Sequence, residues 1–449
     1  MNTTIRRGRV IGALLIAAVL VGCNDFISPT DLNPNAVPTA TVDQLFTGIQ
    51  VNTFYFSESQ IARIASLWTQ QMAGTDRQFA ILDTYRLNEE DADGEFSALY
   101  TGGGLIDLRD AIGQAEEGGR HLYAGILKIY EAYLFGMGAS MFGDIPYSEA
   151  ATDGIDAPGL DTQAEVYAAV QALLDEAIVD LGAGGAGPGS VDMNFAGNAS
   201  NWVAVAHTLK ARLHMHWAEV NGSSSYQAAL AEAQQGIATS AGTWRAIHST
   251  ASTENNLWYQ FMRDRSGYIS SGDYLVPLMV AENDPRLPFY FSEASSGGYV
   301  ARDSELSLTG YGAPDFNFPI LSCAENAYIQ AEASFKLGNE AGARTAAKAG
   351  LGCQESKWNV SLAALSSALD AKSGTALFEE IMKQKYEALF LDMEAFNDFK
   401  RTCLPAITQR EGGMPARLYY GQAERQSNPN VPAPAQQPAR NTNDPNSCS

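Results

Sequence analysis

Apolar residues recur at helical spacing along most of the chain, and this pattern predicts amphipathic helices with one face on a core. The predicted helical regions are residues 41–73, 122–141, 165–181, 202–220, 226–238, 324–337, 340–351, 377–390 and 393–401. Thr162 stands three residues before Glu165, which is the spacing of a capping box at a helix start. The pattern therefore predicts a mainly α fold with little β structure.

Two helix pairs in this set resemble each other. Residues 209–220 and 226–233 form one pair, and residues 331–338 and 341–349 form the other. In both, small residues line the crossing and a polar turn joins the helices, which resembles tetratricopeptide repeats that bury a shared core by stacking. Because the pairs lie far apart in the sequence, we do not expect a continuous solenoid.

Residues 254–318 have a different pattern, with twelve aromatic residues between Gly and Pro and no single helical period. This is typical of long ordered loops with short elements, and such loops often carry function. Sugar rings present C–H faces to aromatic planes and hydroxyls to polar side chains. We therefore expect a ligand site where these loops meet residues 68–85. The candidate ligand residues are Trp68, Gln71, Trp258, Tyr259, Tyr268, Tyr299 and Tyr311.

Core packing is the alternative for most of these rings, and a half-buried anchor of its helix is the alternative for Trp68. Arg263, Asp264 and Arg265 stand among the loop aromatics and could orient hydroxyls or carboxylates of a ligand. The sequence alone leaves both interpretations open.

The N-terminus reads as a targeting segment. Three arginines precede an uncharged apolar run over residues 10–21, which is too short to span a bilayer comfortably. The run ends Leu-Val-Gly-Cys, which resembles a bacterial lipobox in which Cys23 is lipidated and becomes the first mature residue. An ordinary signal peptide with a chance cysteine is the alternative.

The predicted organisation has four parts. Residues 1–22 are a lipoprotein signal peptide, and residues 23–40 are a lipidated tether that contains three prolines. Residues 41–427 form a single α-helical domain, and residues 428–449 form an irregular tail rich in Pro, Gln and Asn.

Composition excludes several classes of function. The chain has 29 Lys+Arg against 51 Asp+Glu, a net charge of −22, whereas a nucleic-acid binder needs clustered cations to neutralise phosphates. The acidic run 89–94 fits a calcium loop poorly, because Glu89 replaces the expected Asp and Tyr100 the expected Glu. We find no motif of hydrolases, dinucleotide-binding proteins or zinc enzymes, so no cofactor, no metal and no catalytic residue are predicted.

Four cysteines remain if Cys23 is lipidated, and they allow three pairings. An antiparallel hairpin of the helices 323–337 and 340–351 would place Cys323 and Cys353 at the same end. Cys403 and Cys448 then pair by elimination. Free buried thiols are the alternative.

A series of motifs in order along the chain carries a family resemblance. The motifs are Phe-Gly-Asp-Ile-Pro-Tyr-Ser-Glu-Ala at 142–150, Leu-Asp-Thr-Gln-Ala-Glu-Val-Tyr at 160–167, Asn-Asp-Pro-Arg-Leu-Pro at 283–288, Lys-Gln-Lys-Tyr at 383–386, Glu-Ala-Phe-Asn at 394–397 and Pro-Ala-Arg-Leu-Tyr-Tyr at 415–420. After a lipobox, this series resembles the SusD/RagB family of outer-membrane nutrient-binding lipoproteins. The Pro/Gln/Asn tail with Cys448 departs from the family pattern.

The resemblance implies a single α-rich domain with tetratricopeptide-like helix pairs on one side and loops on the other. It also implies a surface-exposed, lipid-anchored outer-membrane protein that is not an enzyme. Such a protein binds glycans or oligosaccharides and delivers them to a TonB-dependent, SusC-like transporter, which we expect to contact the helical half. A peptide ligand, an anchored hydrolase and a pure scaffold are the alternatives.

Overall fold

The computed structural model describes residues 40–410, 413–446 and 448. The predicted signal peptide, Cys23 and all but the last residue of the tether lie outside the described residues. Residues 42–449 form one compact unit. No helix in the described part of the chain combines the length and the apolar composition needed to cross a membrane.

Helices make up most of the structure, which confirms the predicted fold class. In chain order they are α1 Val42–Glu58, α2 Gln60–Trp68, α3 Arg77–Leu82, α4 Asp93–Ala98, α5 Leu105–Glu117, α6 His121–Phe142, α7 Gln163–Ala183, α8 Ala199–His216, α9 Ala218–Asn221, α10 Ser223–Ala233, α11 Leu257–Asp264, α12 Leu275–Glu282, α13 Leu287–Tyr290, α14 Cys323–Lys336, α15 Glu340–Trp358, α16 Ala363–Asp370, α17 Gly374–Ala388, α18 Glu394–Thr402 and α19 Gln422–Ser427.

The β structure of the described residues is limited to four short strands. They are β1 Met72–Gly74, β2 Trp244–Ala246, β3 Ile269–Ser271 and β4 Phe318–Leu321. β1 pairs antiparallel with β3, and β2 pairs antiparallel with β4. Both sheets join segments that are far apart in the sequence, so they fasten the loop-rich part of the chain to the helices.

The helix pairs stack in space although long insertions separate them in the sequence. α6 packs on α7, α7 on α8, α8 on α10, α10 on α14, and α14 on α15. The pairs therefore contact one another in space, although they do not form a continuous solenoid along the chain. The reason is that the whole segment between α10 and α14 leaves the stack as loops and short elements and then returns to it.

Small residues allow these helices to approach closely. A Cβ on Gly125 would lie 2.8 Å from the backbone oxygen of Ala177 on α7. A Cβ on Gly350 of α15 would lie 2.8 Å from the ring of Tyr328 on α14. Since helix axes at such crossings are separated only by the side chains between them, larger residues at these positions would push the pairs apart.

Local sequence signals determine some of the helix boundaries but not all of them. Thr162 forms the predicted capping box with Glu165, whose backbone N–H donates to Thr162 Oγ1 at 3.3 Å. The predicted region 41–73 instead divides at Ser59, which has non-helical dihedral angles, and ends in strand β1. α15 continues past the predicted end at 351 to Trp358 and stops where Asn359 adopts a left-handed conformation.

Buried ion pairs connect the helices. Arg212 donates to both oxygens of Glu325 at 2.5 and 2.6 Å, and both residues are almost completely buried. Arg286 donates to Asp284 and to Glu387 at 2.5 Å each. Burial opposes the charged forms, but the neighbouring carboxylates raise the pKa values of Arg212 and Arg286 above their usual range. Removing one partner would leave an uncompensated buried charge.

Two disulfides are present in the structure. Cys323 pairs with Cys353 and Cys403 pairs with Cys448, with Cα atoms 6.0 and 5.0 Å apart. This is the pairing that the sequence predicts. The first disulfide fastens the start of α14 to α15, and the second ties the C-terminal tail to the end of α18.

Replacing both Cys323 and Cys353 by serine is expected to lower the free energy of unfolding by about 3 to 4 kcal/mol. The disulfide closes a loop of 30 residues, and the chain-entropy model gives this loss for such a loop. Urea unfolding followed by circular dichroism would measure it. A double variant as stable as the wild type would show that the disulfide does not form.

Candidate ligand-binding surface

Strands β1 and β3 bring the two predicted segments together. Met72 pairs with Ser271, Ala73 with Ser270 and Gly74 with Ile269, so residues 72–74 of the early segment lie against the aromatic loops. A Cβ on Gly74 would come within 1.9 Å of the Phe79 carbonyl oxygen, so only glycine fits this turn into α3. The ribbon therefore places α3 next to the loop that precedes β3.

Backbone hydrogen bonds hold the turn beyond this ribbon in place. The backbone N–H of Thr75 donates to the carbonyl oxygen of Tyr268 at 2.9 Å, and Thr75 Oγ1 donates to Gly267 O at 2.7 Å. Asp83 Oδ1 accepts from the backbone N–H of Gly74 at 3.0 Å. Tyr268 thus sits on a fixed backbone, although it lies in a loop.

Aromatic rings and arginines alternate on this part of the molecule. Phe79 of α3 packs against Phe261 of α11, with ring centroids 5.0 Å apart, and lies 6.3 Å from Tyr268. The guanidinium of Arg77 lies 5.4 Å from the Tyr268 ring centroid. Arg263 lies 5.8 Å from the centroid of Tyr259. These contacts connect Arg77, Phe79, Phe261 and Tyr268, and we call these four residues, together with Tyr259 of the same helix α11, the junction surface.

The exposure of these residues suits ligand contact. Phe79 is buried and serves as the base, whereas Tyr259, Phe261 and Tyr268 are partly exposed and Arg77 is exposed. Guanidinium groups beside aromatic rings supply hydrogen-bond donors next to flat apolar faces. The arrangement is able to bind a ligand that has both an apolar face and hydrogen-bonding groups.

An ion-pair network connects the β1–β3 ribbon to neighbouring segments. Arg302 donates to Asp83 at 2.8 Å and to Asp273 at 2.5 Å, and Arg410 donates to Asp273 at 2.6 Å. Burial opposes ionisation of Asp273, but hydrogen bonds from Arg302 and Arg410 lower its pKa below the usual value. Asp273 therefore stays charged at neutral pH, and the network connects the early segment, the aromatic loops and the C-terminal region.

Tyr299 belongs to a loop that also contacts β3. The hydroxyl of Ser271 donates to Val300 O at 2.8 Å, and Arg302 donates its backbone N–H to Ser271 O at 2.9 Å. Tyr299 itself is partly exposed, and burial raises its pKa. The structure thus brings Tyr268 and the loop of Tyr299 to the same strand, and Tyr259, Tyr268 and Tyr299 remain predicted ligand residues.

Trp68 and Gln71 are core residues, which corrects their predicted ligand role. Neither has exposed surface. The indole of Trp68 donates to Leu82 O at 3.0 Å and packs on Phe396, 5.3 Å away. The amide of Gln71 donates to Tyr386 O at 3.0 Å and accepts from the Leu391 backbone N–H at 2.8 Å. A side chain without exposed surface cannot stack on a ligand.

Trp258 and Tyr311 are also buried, and their predicted ligand role is wrong for the same reason. Both have no exposed surface. Tyr311 stands in a cluster with Tyr290 at 5.1 Å and Phe390 at 4.9 Å between ring centroids, and its hydroxyl accepts from Lys357 at 2.9 Å. Many of the loop aromatics thus form a second part of the core, as the packing alternative predicts.

The sequence pattern does not identify Arg77, Phe79 and Phe261 as residues of the junction surface. Arg77 and Phe79 lie within the segment 68–85 that was expected at the site, but a six-residue helix gives too short a periodic signal to show which side faces the loops. A useful signal is the turn Gly-Thr-Asp at 74–76, because Asp favours the N-cap position and Asp76 caps α3 in the structure.

The acidic clusters of the described residues are structural. In the run 89–94, Glu89 pairs with Arg425, and Asn88 forms a capping box with Asp91. Elsewhere, Glu282, Asp284 and Glu387 offer oxygens within 4.8 Å of one another. Arg286 neutralises two of them and Lys383 pairs with Glu282, so this group has the composition of an ion-pair network and not of a metal site.

Comparisons with known proteins place this arrangement in a family. The profile of a SusD-like family, described as starch-binding associating with outer membrane, matches residues 34–421. No protein of curated function matches the chain significantly.

Solved structures share the fold. A SusD/RagB family protein from Bacteroides thetaiotaomicron is 22% identical, with a TM-score of 0.72 over 88% of this chain and 95% of that one. A chitin-binding SusD homolog from Flavobacterium johnsoniae is 19% identical, with a TM-score of 0.73 over 90% and 97%. A SusD homolog from Bacteroides vulgatus is 19% identical, with a TM-score of 0.77 over 90% and 98%. Because the family match spans most of its length, this chain belongs to the SusD-like family.

Proposed function

We propose that this protein is a lipid-anchored binding protein on the surface of the bacterial outer membrane. It captures glycans or oligosaccharides at the junction surface and passes them to a TonB-dependent transporter. The family description, which names starch binding and the outer membrane, supports the ligand class and the location. The chitin-binding relative shows that this fold serves carbohydrate ligands elsewhere.

The observation that carries the proposal is the junction surface itself. Partly exposed rings at Tyr268 and Tyr259 stand beside Arg77 and Arg263, and hydrogen bonds next to the β1–β3 ribbon hold the backbone of Tyr268. Aromatic faces stack on the C–H faces of sugars, and the guanidinium groups donate to hydroxyls. The protein acts by binding and release, so no catalytic group is assigned.

The transfer step requires a broad contact with the transporter. The helix pairs from α6 to α15 pack on one another in sequence along one stack, and a stable interface needs about 800 Å² from each partner. We assign this helical half to the partner and the junction surface to the ligand.

Replacing Tyr268 by alanine is expected to weaken oligosaccharide binding about five- to thirtyfold, which corresponds to about 1 to 2 kcal/mol for the loss of one stacking platform. Stability should change by less than about 0.5 kcal/mol, because the ring is partly exposed. Calorimetric titration with malto- and chito-oligosaccharides, alongside the melting temperature, measures both.

Tyr419→Ala provides the matched control, because Tyr419 is also partly exposed but belongs to the C-terminal region. Wild-type affinity in the Tyr268→Ala variant would place the ligand elsewhere. Binding only to peptides in the same assay would favour the peptide alternative, and sugar products in the calorimeter cell would favour a hydrolase.

Replacing Cys23 by serine is expected to abolish lipidation and to release the protein from the outer membrane, because the thiol is the acylated group of a lipobox. Metabolic labelling with a palmitate analogue and membrane fractionation measure this. A Cys23→Ser protein that is still labelled and still sediments with outer membrane would refute lipid anchoring at this residue.

A further inference from the structure

A buried carboxylate ends α1, a helix that contacts α11. This residue, Glu58, has no exposed surface. Its Oε1 lies 2.7 Å from His248 Nε2, and its Oε2 accepts from the side-chain amide of Asn256 at 2.9 Å. An ionised carboxylate in the core needs a cation and hydrogen-bond donors around it. The position of Glu58 therefore depends on His248 and Asn256.

Asn256 connects this carboxylate to α11. Its Oδ1 accepts from the backbone N–H groups of Trp258 and Tyr259 at 2.9 and 3.1 Å, so Asn256 is the N-cap of the helix. Its amide nitrogen donates to Glu58 and, at 3.1 Å, to Phe316 O. Because a side-chain amide is planar, its oxygen and its nitrogen turn together. The bond to Glu58 therefore helps to fix the direction of the capping oxygen.

The capped helix carries part of the junction surface. Tyr259 and Phe261 both lie on α11, which has only eight residues. A helix of this length is not stable on its own in water, so its cap and its packing determine where it lies. Phe261 packs on Phe79 of α3 at 5.0 Å between ring centroids, and Trp258 is buried. A change in the cap would therefore move rings of the junction surface.

The contact between His248 and Glu58 requires a proton on each ring nitrogen. His248 Nδ1 lies 3.3 Å from Glu254 O, and a carbonyl oxygen only accepts, so Nδ1 carries a hydrogen. Nε2 faces the Glu58 carboxylate, which also accepts when it is ionised. The geometry is therefore that of an imidazolium beside a carboxylate. Loss of the second proton would place the lone pair of Nε2 against Glu58 Oε1.

This proton is held more tightly in the folded protein than in the unfolded chain. Burial disfavours the charged ring, but the hydrogen bond and the charge of Glu58 raise the pKa of His248 above the usual 6.5. Burial also raises the pKa of Glu58, although His248 opposes this shift. The interaction is therefore complete below pH 6.5 and is lost as the pH rises through the pKa of His248.

Other charged groups lie on the elements around the pair. They are Arg63 of α2, Glu95 of α4, Arg245 of β2, Glu254 of the following loop, and Arg263 and Asp264 of α11. Burial lowers the pKa of Arg63 to about 10, which is well above the range in which histidines titrate. The carboxylate of Glu254 accepts from Ser249 Oγ at 2.6 Å, and Arg263 pairs with Asp264 at 2.7 Å. The charge of His248 is thus the one expected to change near neutral pH.

We propose that Glu58 and His248 are positioning residues of the junction surface, which hold α11 through its cap Asn256 and release it when the pair loses its proton. The inference rests on the proposed function, because the ligand is assigned to the junction surface. It adds regulation to that function, with tighter capture at mildly acidic pH than at alkaline pH.

Fluorine NMR with 4-fluorophenylalanine in place of Phe261 reports on α11 without any ligand. Carbon NMR of labelled histidine follows the five histidines, and His248→Gln assigns the resonance of interest. We expect His248 to titrate above pH 6.5 and the fluorine resonance to shift with the same midpoint. The shift should be absent in His248→Gln. Glu58→Gln should lower the midpoint of His248 below 6.5, because burial remains and the negative charge is gone, and the fluorine midpoint should follow it.

His207→Gln is the matched control. His207 of α8 also pairs with a carboxylate, Glu232 of α10, at 2.6 Å, but both residues belong to the helical stack. This variant should leave the fluorine titration unchanged. The wild-type titration needs no charge substitution, so it tests the proposal even if Glu58→Gln does not fold.

Calorimetric titration with malto- and chito-oligosaccharides gives the second readout. We expect affinity one pH unit above the His248 midpoint to be about two- to tenfold weaker than one unit below it, the factor that one capping hydrogen bond contributes. A protein that binds no sugar, but whose fluorine resonance follows His248, would refute the junction surface as a sugar site and support the coupling of His248 to α11.

Four results would overturn the proposal. The fluorine resonance could stay fixed while His248 titrates, or its shift could persist in His248→Gln. His248 could titrate below pH 6.5 in the wild type. Sugar could bind with equal affinity on both sides of the His248 midpoint.

Discussion

Replacing Glu332 by glutamine is expected to lower the free energy of unfolding by about 3 to 5 kcal/mol. Glu332 on α14 accepts from Arg401 of α18 at 2.5 and 2.6 Å, and Lys385 of α17 lies 3.4 Å away. Glu332 has no exposed surface, and Lys385 and Arg401 are almost fully buried. The variant would leave Asp398 as the close carboxylate for two buried cations.

Glu379→Gln is the matched control, because Glu379 lies on α17 but is exposed, and its loss should change stability by less than about 0.5 kcal/mol. Urea unfolding measures both variants. Burial opposes ionisation of Glu332, but Arg401 and Lys385 lower its pKa below the usual 4.5. Its contribution is therefore present above pH 4.5 and is lost as the pH falls below that value. Equal stability of both variants would contradict the network.

Replacing Trp68 by alanine is expected to cost about 3 to 5 kcal/mol of stability and to leave oligosaccharide affinity within about twofold of wild type. The indole is fully buried against Phe396 and donates to Leu82 O, so its removal leaves a cavity and takes away one of the two hydrogen bonds that Leu82 O accepts. Thermal unfolding and calorimetric titration on the folded protein separate the two effects.

Trp68→Phe keeps most of the ring volume and should cost less than the alanine variant, because it leaves a smaller cavity. A Trp68→Ala protein that melts like wild type but binds sugar weakly would restore Trp68 as a ligand platform. It would also contradict its position in the core.

Much of the helical architecture was predictable because local signals determine it. The capping box at Thr162, the pattern of α6 and the hairpin of α14 and α15 depend on residues within a few turns of one another. The stacking of α10 on α14 was not predictable in the same way. It depends on how the segment between them folds, which no local pattern describes.

The boundary errors have a tertiary cause. The apolar period of residues 41–73 continues through Ser59 and into β1, but residues 72–74 pair with β3, almost 200 positions later in the sequence. The backbone hydrogen bonds of that pairing replace those of a continued helix. The hydrophobic period and the intrinsic helix and strand propensities of residues 41–73 do not predict this pairing.

The sequence predicts which segments form the candidate site, but not which of their aromatic side chains are exposed. The density of aromatic residues predicts that residues 68–85 meet the loops 254–318. The pairing of β1 with β3 brings these two segments together. Aromatic density does not distinguish Trp258, which is buried, from Tyr259, which is partly exposed and adjacent in the sequence. The exposure of each side chain of α11 depends on which side of the helix faces α1. That contact joins segments far apart in the sequence, so the local pattern does not show it.

The central claim is that the junction surface holds the ligand. A crystal structure of the protein with a bound malto- or chito-oligosaccharide tests it most directly. The account predicts electron density for sugar rings against Tyr259 and Tyr268, within hydrogen-bonding distance of Arg77 or Arg263. Sugar density found only at other positions, with these four side chains unoccupied, would contradict it.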